Sequence, residues 1–179
     1  GVVSDSVSNQ YAPLSNKNID LSKCLIINAQ SLLKKMHSLR ILSSQLRPLL
    51  IFVTEDIPDP VLSISSYSLT RKDRNGSRGG GVVIFVAESL EVIKIDFPAI
   101  EEEVFDAVWC NIRFSNGSFI LTGCVYRPPS CSADETLSLI NHLRHVCSRK
   151  HDIIMIGGDF NFPGIDWLNF RYTAQYDAF

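Results

Sequence analysis

The stretch IIMIGGDFNFPGIDW, residues 153–167, is the most informative part of the sequence. Its first half is an apolar run typical of a buried β-strand, and its second half places Asp159 and Asn161 in a loop rich in glycine and proline. We interpret Gly157 and Gly158 as the point where the chain turns sharply, so that a carboxylate and an amide reach solvent beyond the strand. The plainer alternative is a turn formed by short polar side chains.

Three other apolar runs also end on a polar residue, namely Asn28, Glu55 and Tyr126. In layered α/β proteins ligands bind beyond the carboxyl ends of the strands, so convergence of these ends with Asp159 and Asn161 would form an oxygen-rich pocket. Carboxylate, amide and phenol oxygens suit Mg²⁺ bound together with a phosphate group, which predicts metal-assisted hydrolysis of a phosphoester. Taken singly, each residue has a plainer explanation, such as a solvated strand end or a core tyrosine with an exposed hydroxyl.

The composition fits one globular domain without a membrane segment. The chain has 179 residues, of which 45% are hydrophobic, enough for a substantial core. Its net charge of -2 gives no sign of a polyanion partner, so contact with nucleic acid would need a local basic patch. Residues 1–20 are polar, unlike a signal peptide, and we interpret them as a flexible leader. The five cysteines form no CxxC pair, which indicates reduced core thiols in a nuclear or cytoplasmic protein that is not secreted.

Apolar periodicity predicts two helices. One spans residues 31–47 and ends before Pro48, and the other follows Ser132 and Glu135, which have the spacing of a capping box. Their predicted apolar faces are Leu32, Leu33, Met36, Leu39 and Leu42 in the first helix and Leu137, Ile140, Leu143 and Val146 in the second.

Seven or eight strands are predicted around these helices. They include residues 67–70, one or two strands within residues 81–97, and a hairpin at Asn116 and Gly117, a pair typical of a two-residue turn. Because some strands are joined through helices and others by a hairpin, the pattern indicates a layered α/β domain with mixed sheets.

A basic loop is predicted over residues 71–80. It would contact a phosphate backbone and add affinity that weakens with salt, or it would simply be a solvated hairpin tip. Arg127, adjacent to Tyr126, is a second candidate for a phosphate contact. The cations of the loop are Arg71, Lys72, Arg74 and Arg78, against the single carboxylate of Asp73.

Five segments occur in a fixed order between residues 24 and 167: INAQSL, FVTE, RKDRNGSRGGGVVIFV, VYRPP and IIMIGGDFNFPGIDW. Together they resemble the endonuclease/exonuclease/phosphatase superfamily, and specifically the apurinic-type endonuclease domain of non-LTR (LINE-type) retrotransposon polyproteins. The resemblance implies a four-layer α/β sandwich of two mixed sheets. It also implies a DNA-nicking endonuclease whose product, a 3′ hydroxyl, primes reverse transcription by a polymerase domain of the same polyprotein.

The resemblance also implies a role for each motif residue. Glu55 would be the principal ligand of Mg²⁺, with Mn²⁺ as the alternative, and Asn28 and Asp159 would lie in the same metal network. Tyr126 would contact the scissile phosphate, Asp159 would orient or deprotonate the attacking water, and Asn161 would hold the pentacovalent phosphate. Two other functions stay open, namely a phosphatase of a small phosphoester and a decayed, non-catalytic binding module.

Two features depart from the family pattern. The segment TEDIPDP after the first glutamate motif is short, and the chain ends at Phe179 without the Ser-Asp-His motif that closes the family's site. We therefore expect residues 21–179 to be a domain truncated at its carboxyl end, with weak or no activity and an uncovered sheet edge. The four histidines are expected at surface or interhelical positions, namely His37, His142, His145 and His151.

Overall fold

The computed structural model describes residues 23–28, 32–54, 62–73, 81–95, 104–114, 117–166, 168–169 and 171–172. The predicted leader lies outside these residues. Neither helix in the described ranges is long and apolar enough to cross a membrane. In chain order the elements are β1 (Cys24–Asn28), α1 (Leu32–Leu46), β2 (Leu50–Thr54), β3 (Tyr67–Asp73), β4 (Gly81–Ala87), β5 (Glu91–Lys94), β6 (Asp106–Arg113), β7 (Phe119–Tyr126), α2 (Ala133–Cys147), β8 (Ile153–Asp159), β9 (Ile165–Asp166) and β10 (Arg171–Tyr172).

The strands form two mixed four-stranded sheets and one short pair. The first sheet has the order β1-β2-β4-β3 and the second has the order β5-β6-β7-β8. In each sheet the two strands joined through a helix, β1 with β2 and β7 with β8, are parallel, and the other pairs are antiparallel. The region predicted as one or two strands, residues 81–97, contains two strands that belong to different sheets.

Apolar side chains fill the spaces between four layers. Alternate residues of β2 point to opposite faces, so that Leu50 and Phe52 pack against the second sheet while Ile51 and Val53 pack against α1. A third apolar cluster lies between the second sheet and α2. The order helix, sheet, sheet, helix confirms the predicted α/β sandwich of two mixed sheets.

The buried face of α1 differs in part from the predicted one. Met36 and Leu39 are buried as predicted, whereas Leu42 is 38% exposed and Ser43 is buried instead. Residues 36, 39 and 43 share one side of the helix, and position 42 points away from it. The Ser43 hydroxyl donates to the carbonyl of Leu39 at 2.6 Å, so its burial leaves no unpaired donor. Two other residues of the predicted face have side chains outside the described part of the chain, Leu32 and Leu33.

The α2 helix begins at the predicted capping box. The backbone N–H of Glu135 donates to Ser132 Oγ at 3.3 Å, and the backbone N–H of Ser132 donates to Glu135 Oε2 at 2.6 Å. These hydrogen bonds lower the pKa of the Glu135 carboxyl. The start of the helix is therefore confirmed, and it is fixed by residues that are adjacent in sequence.

The buried face of α2 is rotated relative to the predicted one. Ile140 and Val146 are buried and Leu143 is half-buried, as predicted. Leu137 is 43% exposed, so the prediction was wrong there, and Leu139 is buried in its place. Positions 139, 140, 143 and 146 fall within an arc of about 120° around the helix, and position 137 lies outside that arc.

Gly157 and Gly158 lie inside β8 rather than at a turn, which corrects the interpretation from sequence. A Cβ on Gly157 would lie 2.6 Å from Cγ of Phe52, so this glycine lets a ring from the first sheet approach β8. Gly158 has a φ of +147°, and its Cβ would lie 1.9 Å from the carbonyl oxygen of Val125 in the neighbouring strand. The chain bends later, where Asn161 has a φ of 49°.

The strands β6 and β7 form the predicted hairpin, but three residues instead of two separate its last hydrogen-bonded pair, Phe114 and Ser118. The N–H of Phe114 donates to the carbonyl of Ser118 at 3.0 Å, so the pairing continues beyond the strand ends. Gly117 donates to the carbonyl of Phe114 at 2.8 Å. With its φ of +81°, Gly117 is the left-handed residue that closes such a three-residue loop.

The cysteines are free thiols, as expected from the sequence. Burial raises the pKa of Cys110 and of Cys124 to about 12, so both thiols stay protonated and unreactive at neutral pH. Cys147 on α2 is exposed. The prediction of core cysteines therefore holds for Cys110 and Cys124, whereas Cys24 and Cys131 are half-buried and the prediction is wrong for Cys147.

His142 packs between α2 and the second sheet. The indole N–H of Trp109 donates to His142 Nε2 at 3.0 Å, and the ring of Phe105 lies 5.4 Å from the imidazole centroid. Burial, with smaller contributions from the charges of His145 and Lys72, lowers the pKa of His142 to about 4. The histidine is therefore a neutral packing residue at physiological pH.

We expect the two glycines of β8 to differ in their tolerance of a methyl group. Gly158→Ala should lower the free energy of unfolding by more than about 2 kcal/mol, because the clash is with backbone at a positive φ. Gly157→Ala should cost about 1–3 kcal/mol, since the Phe52 ring can shift. Urea denaturation measures both. Gly117→Asn is the control, and its free energy of unfolding should change by no more than about 0.5 kcal/mol because Asn tolerates the left-handed region. Equal costs at all three glycines would contradict a backbone clash specific to Gly158.

The neutral state of His142 makes stability dependent on pH. Between its folded pKa of about 4 and its ordinary value of 6.5, the unfolded chain binds more protons at this residue than the folded chain does. The free energy of unfolding should therefore fall as the pH decreases through this range. His142→Gln should flatten that fall, as measured by urea denaturation from pH 7 to pH 4.5. His37→Gln, on an exposed position of α1, should leave the slope unchanged.

Candidate active site

The edge strands of the two sheets, β1 and β8, lie side by side along a line that we term the seam. Toward their amino ends the thiol of Cys24 donates to the sulfur of Met155 at 3.8 Å. At their carboxyl ends the side-chain amide of Asn28 donates a hydrogen bond to Asp159 Oδ2. Both pairs are separated by 131 residues in sequence, so the two strands run in the same direction.

The seam gathers the carboxyl ends of four strands at one end of the sandwich, which we term the rim. In the first sheet Asn28 pairs with Thr54, and in the second sheet Tyr126 pairs with Asp159. Paired residues point to the same side of a sheet, and at these positions that side faces the other sheet. Three residues singled out from the sequence are therefore brought together at the rim: Asn28, Tyr126 and Asp159.

The loop after β8 is held by hydrogen bonds in both directions. The backbone N–H of Asn161 donates to Asp159 Oδ1 at 3.1 Å, which closes a turn through the aspartate side chain. The side-chain amide of Asn161 donates to the carbonyl of Arg127 at 2.7 Å. The N–H of Arg127 in turn donates to the carbonyl of Asp159 at 2.9 Å. Asp159 and Asn161 are thus fixed relative to the end of β7.

Arg127 does not have the exposed position that a phosphate contact requires, which corrects the prediction for this residue. Its side chain is only 6% exposed. The guanidinium has five N–H groups, and its five hydrogen bonds all go to acceptors inside the protein. The acceptors are the hydroxyl of Thr136, which receives two of the bonds, and the carbonyls of Pro128, Cys131 and Asn161.

The predicted basic loop is partly strand. β3 continues to Asp73, so Arg71 and Lys72 are half-buried strand residues, and Arg74 and Arg78 lie outside the described residues. Lys72 pairs with Val82, which lies in the same row as Thr54 and Asn28. Three strand spacings of about 4.8 Å put the backbone of Lys72 about 14 Å from that of Asn28 along the rim.

The rim also contains a carboxylate that we did not single out from the sequence. Asp106, the first residue of β6, pairs directly with Tyr126 and is only 1% exposed. The signal was present in the predicted hairpin, because antiparallel pairing places the start of one strand beside the end of the other. Placing Asp106 beside Tyr126 from the sequence requires the register of the hairpin, and that register depends on the length of the loop.

Glu55 follows Thr54 directly in sequence but lies outside the described residues, so its role stays a prediction. In the part of the chain that the structure describes, no three His, Cys, Asp or Glu side chains form a cluster that would hold a metal ion. Asn28 and Asp159 have an amide oxygen and carboxylate oxygens, and the amide nitrogen of Asn28 faces the carboxylate. Such hard oxygen ligands fit Mg²⁺ or Mn²⁺, with a third ligand required from elsewhere.

An open groove of about 1050 Å³ lies at the opposite end of the first sheet, lined by Arg40, Arg47 and several serines. Several of its described donors are bonded to backbone carbonyls. Arg40 Nε donates to the carbonyl of Ser63, and the Tyr67 hydroxyl donates to the carbonyl of Pro48 at 2.7 Å. The groove contains none of the motif residues, so the rim is the stronger candidate for a site.

No protein-family model and no curated protein match the sequence. Solved structures do match. TDP2 from D. rerio, complexed with a single-stranded DNA product, has a TM-score of 0.61 at 17% identity, over 78% of this chain and 60% of that chain. An AP endonuclease from Archaeoglobus fulgidus has a TM-score of 0.56 at 15% identity, over 80% of this chain and 59% of that chain. ANGEL2, a 2′,3′-cyclic phosphatase, has a TM-score of 0.53 at 15% identity, over 79% of this chain and 52% of that chain.

These similarities establish the fold. The two mixed sheets with a helix on each outer face are the endonuclease/exonuclease/phosphatase fold, as the motif order predicted. The chain spans between 52% and 60% of the length of the three structures.

We expect Asn28→Asp to show that the seam places two side chains in contact. At pH 8 the new carboxylate would face Asp159, and the free energy of unfolding should fall by about 1 kcal/mol more than in Asn28→Ala. The repulsion raises the pKa of the pair, so the folded state gains protons as the pH falls. The difference between the two variants should therefore shrink from pH 8 to pH 5 in urea denaturation. Parallel pH curves would mean that the two side chains are apart in solution.

Proposed function

We propose that this chain is a metal-dependent phosphodiesterase, the DNA-nicking endonuclease domain of a non-LTR retrotransposon polyprotein. The hydrogen bond between Asn28 and Asp159 carries the proposal, because it joins motif residues from the two sheets. The nick would leave a 3′ hydroxyl from which a polymerase domain of the same polyprotein primes reverse transcription. The segments VYRPP and RGGG support the retrotransposon branch over other branches of the superfamily.

In the proposed reaction a water oxygen attacks phosphorus, and the bond between phosphorus and the 3′ oxygen breaks. Asp159 accepts the proton of the attacking water, and the departing 3′ oxygen gains a proton. One donor holds each oxygen of this carboxylate, the side chain of Asn28 and the backbone N–H of Asn161. These two bonds fix the direction of the carboxylate, which supports its use as a positioned base.

Tyr126 and Asn161 are the proposed contacts to the scissile phosphate. Tyr126 is the direct register partner of Asp159, so its hydroxyl can reach a phosphate bound at the same rim. Asn161 has two amide hydrogens, and one bonds to the carbonyl of Arg127. The other hydrogen remains for a phosphate oxygen, whose charge increases in the transition state.

A divalent cation, Mg²⁺ or Mn²⁺, would neutralise charge on the phosphate oxygens and the leaving group when bound. We propose Glu55, Asn28 and Asp159 as the residues that hold it. The side-chain amide of Asn28 donates through its nitrogen to Asp159, which leaves its oxygen as the atom for a cation. Glu55 is the next residue after Thr54, whose register partner is Asn28.

DNA is the proposed substrate and partner. TDP2, a structure with the same fold, is complexed with single-stranded DNA. Lys72 adds positive charge to the same row of the first sheet as Asn28, and Arg71 precedes it in β3. If these residues and the neighbouring Arg74 and Arg78 contact the phosphate backbone of DNA, they would provide affinity without sequence preference.

A small phosphoester is the second candidate substrate. ANGEL2, which shares the fold, is a 2′,3′-cyclic phosphatase, so the fold also supports phosphatase activity. In this case the basic residues of β3 would not contribute to catalysis. A non-catalytic module that only binds DNA would retain those residues and lack hydrolysis.

We expect Asp159→Asn to abolish most of the activity in a plasmid-nicking assay with Mg²⁺ or Mn²⁺. The loss should be about 10²-fold or more, because the amide cannot accept the proton of the water. Asp166→Asn is the matched control, since Asp166 is exposed and also accepts hydrogen bonds from an asparagine, Asn169. Its activity should equal that of the parent chain.

The same preparations distinguish the alternatives. Release of phosphate from a small phosphoester without nicking would favour the phosphatase, and DNA retention without any hydrolysis would favour the binding module. Equal nicking by both aspartate variants and the parent chain would remove Asp159 from the site.

A further inference from the structure

Arg127 is a buried cation whose hydrogen-bond acceptors are all neutral, while its charge acts at longer range on Glu135 and helps to lower the pKa of that carboxyl. Its side chain lies beside carbonyl groups, the Thr136 hydroxyl and the ring of Phe162, whose centroid is 4.5 Å from the guanidinium carbon. A buried charge is costly unless its hydrogen-bonding groups are satisfied. Here all five N–H groups are satisfied without a hydrogen bond to a carboxylate, so this residue is used for its shape and its donors.

These contacts connect three separate segments of the chain. Arg127 Nη1 donates to the carbonyl of Asn161 at 3.0 Å, in the loop after β8. Arg127 Nη2 donates to the carbonyl of Cys131 at 3.2 Å, just before α2, and to Thr136 Oγ1 at 2.9 Å, inside that helix. The Thr136 hydroxyl in turn donates to the carbonyl of Ser132 at 2.7 Å, which extends the hydrogen-bond network to the residue before α2. We term this set of contacts the Arg127 clamp.

The backbone of Arg127 contacts the same loop. Its N–H donates to the carbonyl of Asp159 at 2.9 Å, and its carbonyl accepts from the side-chain amide of Asn161 at 2.7 Å. Backbone and side chain together therefore make three hydrogen bonds to residues 159 and 161. Asn161 lies in the left-handed region with a φ of 49°, a conformation that persists only where surrounding contacts hold it.

We propose that Arg127 is a positioning residue, which holds Asp159 and Asn161 in their reactive geometry by tying their loop to the start of α2. The inference rests on the proposed function of these two residues. Arg127 touches neither phosphate nor metal in this role, and it acts on the rate of the chemical step rather than on DNA affinity. A small displacement of positioned groups is enough to reduce a rate strongly.

Lysine at position 127 separates this role from a phosphate contact. Arg127→Lys keeps the positive charge but loses the planar five-donor fork. We expect kcat for cleavage of a labelled DNA duplex to fall about 10²-fold, with KM changed less than about threefold. A phosphate contact would instead leave kcat intact in Arg127→Lys. It would raise KM in Arg127→Met and flatten the log–log salt dependence of DNA binding by about 1. That pattern would overturn the proposal.

Thr136 provides a second, milder test that does not remove the buried charge. Thr136→Val deletes the hydroxyl that accepts two of the guanidinium bonds, and kcat should fall about tenfold at unchanged KM. Thr136→Ser keeps the hydroxyl and should restore the rate. Arg113→Lys is the matched control, because Arg113 also lies over a phenylalanine ring, at 5.4 Å from Phe119, but it is exposed and lies at the other end of β6. Its rate should be unchanged.

Amide hydrogen exchange tests the clamp without reference to catalysis. In Arg127→Lys the backbone amides of residues 127 and 161, which bond to Asp159, should exchange about tenfold faster or more, while the amides of β2 should not change. Arg113→Lys should show neither change. If neither this chain nor a version extended beyond Phe179 hydrolyses DNA, the proposed function fails, and the exchange rates still decide whether the clamp orders the loop. Unchanged exchange in Arg127→Lys would overturn the proposal.

Discussion

The contact between Asn28 and Asp159 fixes the direction in which the two halves of the molecule meet. Each half contains one parallel pair joined through a helix, β1 with β2 and β7 with β8. Because the seam aligns β1 and β8 in the same direction, all four parallel strands end at the same rim. The candidate site is therefore a result of strand direction, and the side chains need only be the right ones at the last position of each strand.

The features that could be predicted from the sequence are local. The capping box of α2 depends on Ser132 and Glu135, which are three residues apart, and the hairpin signal depends on a turn containing Gly117. Long apolar runs such as β2 and β4 are buried on both faces, which explains why they contain no alternation of polar residues. The ordered motifs predicted the fold itself, including its four layers.

The features that could not be predicted depend on contacts between distant segments. The glycines of β8 were interpreted as a turn because a sequence does not reveal the ring of Phe52 or the carbonyl of Val125 beside them. Arg127 was interpreted as a phosphate contact because it is adjacent to Tyr126, whereas the acceptors that bury it come from four later positions in the chain. Asp106 was overlooked because the register of its strand was unknown.

The sequence separation of 131 positions between Asn28 and Asp159 also influences how the chain folds. Pairing within each half closes short loops, whereas docking the halves closes a long one, and contacts of large sequence separation form slowly. A folding intermediate with both helices and the β6–β7 hairpin would already have most of the secondary structure. It would still lack the juxtaposed amide and carboxylate at the seam. We therefore expect helix content to rise during refolding before the rim forms, so that ligand binding at the rim would report the docking of the two halves.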